Sequence, residues 1–526
     1  VGIISSEPCD EASILSKPAS VLCSREAQPW VLAATILGSS IEFIDGTVVN
    51  VALPALQSQL GATMLDVQWV VEAYALFLAA LLLIGGALAD RYGRKRIYAF
   101  GIALFALASI GCGLAPNISQ LIVARGVQGI GAAMLVPGSL AIISASFPEG
   151  ERGRAIGIWS GFTAISAAFG PVIGGWLIEH VSWRAIFFLN IPLAAIVLFL
   201  VYRYVPESKD DGGGKLDVFG AALATLGLGA IVYGLIESGS LGLDNPAVVT
   251  ALLAGIVLLL IFVFVELRSA NPMLPLALFQ SRKFVGANAL TLFLYAALGG
   301  SLFFFPLNLI QVQGYSATAA GASLLPLVAI MFVLSRWSGG LVERVGPLLP
   351  LVIGPVIAAA GFALFMVPEI DDNYWEAFFP PVVVLGLGMA ITVAPLTTTV
   401  MNAVARDHAG IASGINNAVA STASLLAVAA LGLVMSHTFN ACLDRHLANA
   451  RVPAEIVRVF DEQRIKVTGM EIPAGVDAAT QTVLKRAVAK SFVAGFRRVM
   501  LIATVLALLS ALSAWFLFRD KARDVA

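Results

Sequence analysis

Residues 69–96 read WVVEAYALFLAALLLIGGALADRYGRKR. As far as Ala89 the run holds one charged side chain, Glu72, and then Asp90, Arg91, Arg94, Lys95 and Arg96 arrive together. A helix rises about 1.5 Å per residue, so a run of this length crosses the roughly 30 Å of hydrocarbon in a bilayer. Basic residues kept in a short loop mark the cytoplasmic side. The stretch therefore reads as a membrane span that enters from outside and leaves inside.

Similar runs flank it on both sides. Apolar stretches fall at 30–51, 69–89, 97–115, 119–145, 154–178 and 185–204, then at 216–237, 246–267, 284–308, 318–338, 347–367, 377–400, 411–436 and 497–518. Fourteen membrane helices are expected, because strands of an outer-membrane barrel would be about half as long and would alternate polar with apolar residues. The composition agrees: of 526 residues 59% are apolar and 12% charged, too little charge to clothe a soluble chain of this size. Mean hydropathy is +0.89.

Loop charge sets the direction. Arg152, Arg154, Arg203, Lys209, Lys215, Arg268, Arg282, Lys283, Arg344 and Arg406 join the 90–96 cluster on one side. Opposite loops carry Arg184 beside Asp244, Glu369, Asp371 and Asp372. Both termini are then cytoplasmic in a multi-pass protein of the inner (plasma) membrane. Residues 437–496 break the charge rule, with Arg445, Arg451, Arg458, Arg464, Lys466, Lys485, Arg486 and Lys490 on the outer side, but long loops cross despite charge. Within them 454–467 and 476–495 look like amphipathic helices, either a cap over the outer mouth or a plain surface insertion.

Gly86, Asp90, Arg91 and Gly93 recur in spacing as Gly339, Glu343, Arg344 and Gly346, 253 residues later. Parallel repeats of this kind suit alternating access around a central cavity. The expected layout is a cytoplasmic tail 1–29 without the apolar core of a signal peptide, an N-terminal six-helix bundle 30–204, and two additional spans with linkers over 205–283. A C-terminal six-helix bundle 284–518 includes the extracytoplasmic insertion 437–496, and a tail 519–526 closes the chain. The fold class is an all-α polytopic membrane protein.

Several functions are disfavoured. Net charge is −1, so no basic field attracts nucleic acid. His180, His408, His437 and His446 have no metal-ligand spacing and no nucleophile beside them, so neither enzyme, metal nor cofactor is expected. Cys9, Cys23, Cys112 and Cys442 are too scattered for a disulfide framework, although Cys112 and Cys442 could both approach the outer side.

Charges at membrane depth carry the functional signal. Glu42 and Asp45 lie three residues apart in the first helix, on one face, and a carboxylate in lipid needs water, a partner or a proton. Two close acids disfavour double ionisation, which is proton coupling in outline. Alternatively Asp45 braces local structure beside Asn50 and Pro54. Arg125 in LIVARGVQGIG cannot easily shed its charge, and Asp45 is its candidate partner unless it snorkels to an interface. Glu72 either attracts a cation or stays hydrated near the outer boundary. Phe43, Trp69, Tyr74 and Phe162 are candidates to complete a pocket for an amphipathic cation, or else face lipid. In the fifth helix Gly157 and Gly161, then Gly170 and Gly174, repeat at four residues beside Pro171 and Gly175, which suits either a sliding contact or static packing. Asp90, with Gly86, Arg91, Gly93 and Arg94 around it, reads as a cytoplasmic latch or as ordinary positive-inside charge.

These segments resemble the major facilitator superfamily, and especially its fourteen-helix drug:H+ antiporters. GALADRYGRKR at 86–96 is similar to the family's cytoplasmic-loop motif, LIVARGVQGIG at 121–131 to its fourth-helix motif and GPVIGG at 170–175 to its antiporter motif. IDGTVVNVALP at 44–54 resembles the first-helix motif of the fourteen-helix branch, and WRAIFFLNIP at 183–192 extends the match. The resemblance runs from about Ile44 to the last helix, leaving the tail and 437–496 uncovered. It implies a major facilitator fold of two six-helix bundles plus two linker helices. It also implies roles: Asp90 and Arg91 in a gate between domains, Arg125 in the proton-coupling network, Asp45 in coupling or cation recognition, and Gly157, Gly170, Pro171, Gly174 and Gly175 in the antiporter helix. Three positions depart from the pattern: Ser166 stands where glycine is usual, Glu72 where a small polar residue is usual, and Glu42 is an added acid.

The expectation is a proton-coupled exporter of amphipathic, cationic drugs or toxic compounds, with protons, such small molecules and membrane lipids as partners. The alternative is export of a native metabolite, siderophore or lipid. A sensor or scaffold gives no reason to place Asp45 and Arg125 at membrane depth. One chain already holds both bundles, so a monomer would suffice, and the oligomeric state stays open.

Overall fold

The computed structural model describes residues 25–209, 217–269, 272–404, 409–450 and 477–519, with single residues between 452 and 470. Helix α1 is Gln28–Leu60; Pro29 in its first turn needs no hydrogen-bond partner, and Gly61 ends it at φ 63°, a left-handed conformation that favours glycine. Helix α2, Met64–Tyr92, starts on a reciprocal cap in which the Thr63 hydroxyl and the Asp66 carboxylate each bond the other's backbone N–H. It stops at Gly93, φ 112°. Then follow α3, Arg94–Leu114, and α4, Ile118–Ser146, whose first turn is capped by the Asn117 side chain. Pro148 precedes α5, Glu149–His180, and the short α6, Ala185–Phe188, leads into α7, Asn190–Tyr204.

Asp217 caps α8, Val218–Leu241, and Asn245 caps α9, Pro246–Arg268. Helix α10, Arg282–Leu307, continues as one wide turn over Asn308–Val312. Next are α11, Ala317–Ala322, α12, Leu325–Gly339, α13, Leu341–Val345, and α14, Leu348–Leu364. Helix α15, Phe379–Asn402, follows a wide turn over Tyr374–Phe378, and α16, Ala409–Asn449, and α17, Ala478–Phe518, complete the described chain.

Helices α1 to α7 pack mainly on one another, with α4 seated against α2 and α3, and α1 against α5 and α7. In the second half α14 packs on α15 and α17, and α10 on α16 and α17. The hairpin α8–α9 lies outside both: α8 touches α2 and α16, whereas the apolar window of α9 is only 11% buried. Its other side chains present the apolar surface that lipid, not water, solvates. The two halves meet where α5 packs on α11 and α2 on α16.

The expected count of fourteen spans is corrected. Among the described residues twelve helices are long and apolar enough to cross a membrane. The stretch 347–367 becomes α14, apolar but 17 residues long, which at 1.5 Å per residue gives about 26 Å and falls short of the hydrocarbon. The stretch 154–178 lies on α5, which is not among the twelve; several of its side chains lie outside the described set. The arrangement of two six-helix bundles plus two linker helices is withdrawn with that count.

Two further expectations change. Residues 476–495 do not form a separate cap helix: from Ala478 they are the first half of α17, continuous into the last span, and α16 likewise runs past 436 to Asn449. The helix expected at 454–467 falls largely outside the described residues, as do most of 1–29 and all but Arg519 of 519–526. Cys112 and Cys442 are both free: Cys112 is buried with its thiol 3.7 Å from Gln128 Oε1, and Cys442 lies beside Arg445.

Candidate functional site

Asp45 and Arg125 come together in the interior, with Asp45 fully buried and Arg125 1% exposed. Arg125 Nη1 donates to Asp45 Oδ2 at 2.5 Å and to Gln128 Oε1 at 2.7 Å, while its Nε donates to the Val70 carbonyl at 3.1 Å. The guanidinium lies 4.2 Å from the centre of the Tyr74 ring. Asp45 Oδ1 accepts from Gln128 Nε2 and from Asn190 Nδ2, each at 2.9 Å, and both amides also donate to Ser109 Oγ. Five helices meet here: α1 brings the acid, α2 a carbonyl and a ring, α3 a hydroxyl, α4 the arginine and a glutamine, α7 an asparagine. A buried charge pair is tolerable only when its remaining lone pairs and protons are satisfied, and this shell does most of that.

Glu42, one turn before Asp45, is half-buried, and Phe43 is 37% exposed. Tyr74 belongs to the network, although its hydroxyl has no hydrogen-bond partner among the described residues. Trp69 points to another neighbour: its Nε1 donates to Glu237 on α8 at 3.4 Å. Glu72 is fully buried and away from the Asp45 network, and Phe162 is 52% exposed on α5. Of the five residues expected to line a substrate pocket, Tyr74 is thus packed on the Arg125 guanidinium and Trp69 bonded to Glu237.

Across the α2–α3 junction, Asp90 in the last turn of α2 pairs with Arg94 at the start of α3 at 2.8 Å. Arg91 stacks on Tyr92, with its guanidinium 5.5 Å from the ring centre. Glu207, past α7, accepts from the Lys95 backbone N–H at 3.1 Å and pairs with Arg96 at 3.5 Å, and Arg94 N donates to the Ser208 carbonyl. A side chain on Gly93 would strike the Glu207 carboxylate. A Cβ on Gly86 would make only ordinary contact with Pro137.

On α5 the glycines divide. A Cβ on Gly170 would lie 2.5 Å from Thr47 Oγ1, one on Gly174 would overlap Val48, and one on Gly175 would lie 2.5 Å from the Ala317 carbonyl. Pro171 is buried, and its carbonyl leaves no room for a side chain on Gly321. Gly157 faces open space, so close packing is not its reason. Ser166, where glycine is usual, donates to Ser40 Oγ at 2.7 Å and so joins α5 to α1 by a bond instead of by close approach.

Sequence reading missed Gln128, Asn190, Ser109 and Glu207. Gln128 stood three residues from Arg125 on one helix face, a usable signal. Asn190 is a lone amide in the apolar run FFLNIPL, which was a second.

A membrane-embedded bundle with a sealed charge network and a seam between two halves has the architecture of a transporter. The family model described as Major Facilitator Superfamily matches residues 35–428, and the chain belongs to that superfamily. It is 35% identical over 501 residues to the multidrug resistance protein Stp of Mycobacterium tuberculosis (strain CDC 1551 / Oshkosh), covering 93% of this chain and 91% of that protein. The tetracenomycin C resistance and export protein of Streptomyces glaucescens is 33% identical over 525 residues, covering 98% and 96%. Among solved structures, the inward-facing, unoccupied bacterial homologue of the human lysosomal transporter Spinster superposes with TM-score 0.67 at 18% identity, over 95% of this chain and 100% of that one. The chain is a multi-pass secondary transporter related to multidrug and antibiotic resistance exporters, not an enzyme. The assignment to a fourteen-helix branch does not stand, because the described residues hold twelve candidate spans.

Proposed function

We propose that the protein is a proton-driven antiporter that expels amphipathic, cationic compounds from the cytoplasm, with both termini on the cytoplasmic side of the plasma membrane. The observation that carries this reading is the Asp45–Arg125 pair, sealed at membrane depth and braced by Gln128, Asn190 and Ser109. A proton arriving from outside and binding at Asp45 would remove the charge that holds Arg125, Gln128 and Asn190 in place. The network then has two arrangements, and the proton gradient biases which prevails. Glu42, half-buried a turn away, is the group that passes the proton or meets a cationic substrate. Phe43, Tyr74 and Phe162 supply the apolar and π contacts that recognise such a cation, and Trp69 with Glu72 the side of the path toward α8 and α16. Asp90, Arg91, Arg94 and the glycines at 86 and 93 form the inner gate, and Gly157, Gly170, Pro171, Gly174 and Gly175 the hinge and sliding face of α5.

The test is transport by purified protein in proteoliposomes under an imposed proton gradient, with tetraphenylphosphonium, ethidium and tetracenomycin C as probes. Gradient-driven accumulation of the cations, lost in Asp45→Asn, is the expected result. Transport of every probe without regard to the gradient would overturn the proton coupling.

A second reading, export of a native metabolite, siderophore or lipid, is favoured by the near full-length similarity to a protein named for tetracenomycin C resistance and export. Movement of tetracenomycin C but neither cation would select it.

A further inference from the structure

Glu72 is a buried acid on α2 that the Asp45 network does not use. It is fully buried in α2, and neither carboxylate oxygen has a hydrogen-bond partner among the described residues. Its position follows from its neighbours one turn away. Gln68 donates to the Val428 carbonyl of α16 at 2.9 Å, and its amide lies where a side chain on Gly432 would be. Leu76 sits in one apolar cluster with Leu425 and Ala429 of α16 and with Leu228, Val232 and Ile236 of α8. Residues four apart share a helix face, so Glu72 lies against α16, on the seam between the two halves of the molecule.

Among the described residues, the elements packed around it offer no counter-charge. The segment 425–432 of α16 reads LLAVAALG. On α8 the nearest acid, Glu237, is engaged by Trp69 Nε1. On α4 Arg125 is committed to Asp45 and stacks on Tyr74, two residues along α2 and off this face. Glu42 and Asp45 on α1 are acids and could only repel a second negative charge. An ionised carboxylate sealed there without a donor is costly, whereas the neutral acid is not.

We propose that Glu72 is a second proton-binding site, carried on the α2–α16 seam and separate from the Asp45–Arg125 network. The proposal rests on the antiport reading and adds a second proton to it. In the closed seam Glu72 holds its proton. When the halves part, water enters, the carboxyl O–H bond breaks, the proton passes to water as hydronium, and the carboxylate stays hydrated until the seam recloses on a reprotonated acid.

The experiment is infrared spectroscopy of the full chain in proteoliposomes at neutral pH, compared in water and heavy water. A protonated-carboxyl stretch is expected in the wild type and in Glu42→Gln and Asp45→Asn, lost in Glu72→Gln and shifted in Glu72→Asp. The same band should give way to a carboxylate band in a Gly175→Leu background, in which spin labels at the exposed Val181, just past α5, and Trp375, in the wide turn before α15, report a parted outer seam. A spectrum in which neither Glu72 variant changes the band would show an ionised Glu72 and overturn the proposal. So would a band that survives seam opening unchanged, since that proton never leaves. Neither readout needs a transported compound, so failure of gradient-driven transport would sink the antiport reading while leaving the titration of Glu72 separately decided.

Discussion

Asp45 accepts from Arg125, Gln128 and Asn190, three donors drawn from two other helices, and each donor has a second bond that fixes its own direction. Asp45→Asn keeps the shape but turns one acceptor into a donor aimed at donors and strips the arginine of its counter-charge. Breaking one side of a buried pair costs about 3–5 kcal/mol, because the other charge stays buried. Thermal unfolding in detergent should therefore show a clear loss for Asp45→Asn and recovery of much of it in Asp45→Asn with Arg125→Gln; an unchanged midpoint in the single variant would mean the pair is not a structural tie. Arg125→Lys is expected to fail in transport despite keeping the charge. A lysine cannot serve the Val70 carbonyl, Asp45 and Gln128 at once in the planar fork that the guanidinium supplies. Gradient-driven probe uptake equal to wild type in Arg125→Lys would show that charge alone suffices.

Gly93 shows how one position decides the join between two elements. At φ 112° and ψ 126° it is in a conformation that side-chain-bearing residues rarely adopt, and its open face lets Glu207 reach the Lys95 N–H at the start of α3. Gly93→Ala should cost on the order of 1–3 kcal/mol in backbone strain alone. It should also push Glu207 off, and a Glu207→Ala variant that reproduced the whole loss in thermal stability would show the strain to be unimportant. Glycine at 93 beside a burst of charge was plain in the sequence, but Glu207 was not, because its partner lies 112 residues away and no local pattern announces it. The same divide runs through the helices. Hydropathy placed the spans because lipid demands continuous apolar runs, yet it could not tell that α14 stops after 17 residues or that α17 runs unbroken from Ala478 through a charged stretch. Charged residues beyond the membrane leave a helix intact when its backbone is already hydrogen-bonded, so polarity alone does not mark its end. Asp45 and Arg125 were legible as a pair because lone charges at membrane depth need partners, whereas the amides that complete the shell look ordinary until packing brings them in.

Among the described residues, the hydrogen bonds that join the two halves lie at the ends that the loop charges assign to the outside. Gln311 Nε2 donates to Gln57 Oε1 at 2.7 Å, Gln68 reaches the Val428 carbonyl, and α5 and α11 touch backbone to glycine at Gly175 and Gly321. Just past the expected end of the α5 span, the Glu179 carboxylate accepts the Thr318 N–H at 2.6 Å, one of the N–H groups that the start of α11 leaves without a helical partner. Partial burial would raise the Glu179 pKa, but the bonds from the Thr318 N–H and the Ser316 side chain and the nearby His180 outweigh it and hold the carboxyl below the usual glutamate range. A group depressed in the folded seam contributes fully above its ordinary value of about 4.3 and loses its contribution as pH falls through the lower value it has there. Acidification from pH 7 to 5 should therefore leave the outer seam closed on Glu179's account, and loosening should begin only below about pH 4. Spin labels at Val181 and Trp375, both well exposed, in a chain with its four cysteines replaced, would read the separation across the seam. Glu179→Gln keeps an acceptor for the Thr318 N–H but cannot titrate, so the acid-induced lengthening seen in the parent should vanish. If the parent lengthened between pH 7 and 5 and Glu179→Gln did the same, the acid response would belong to another group, and Glu179 would be only a fixed cap on α11.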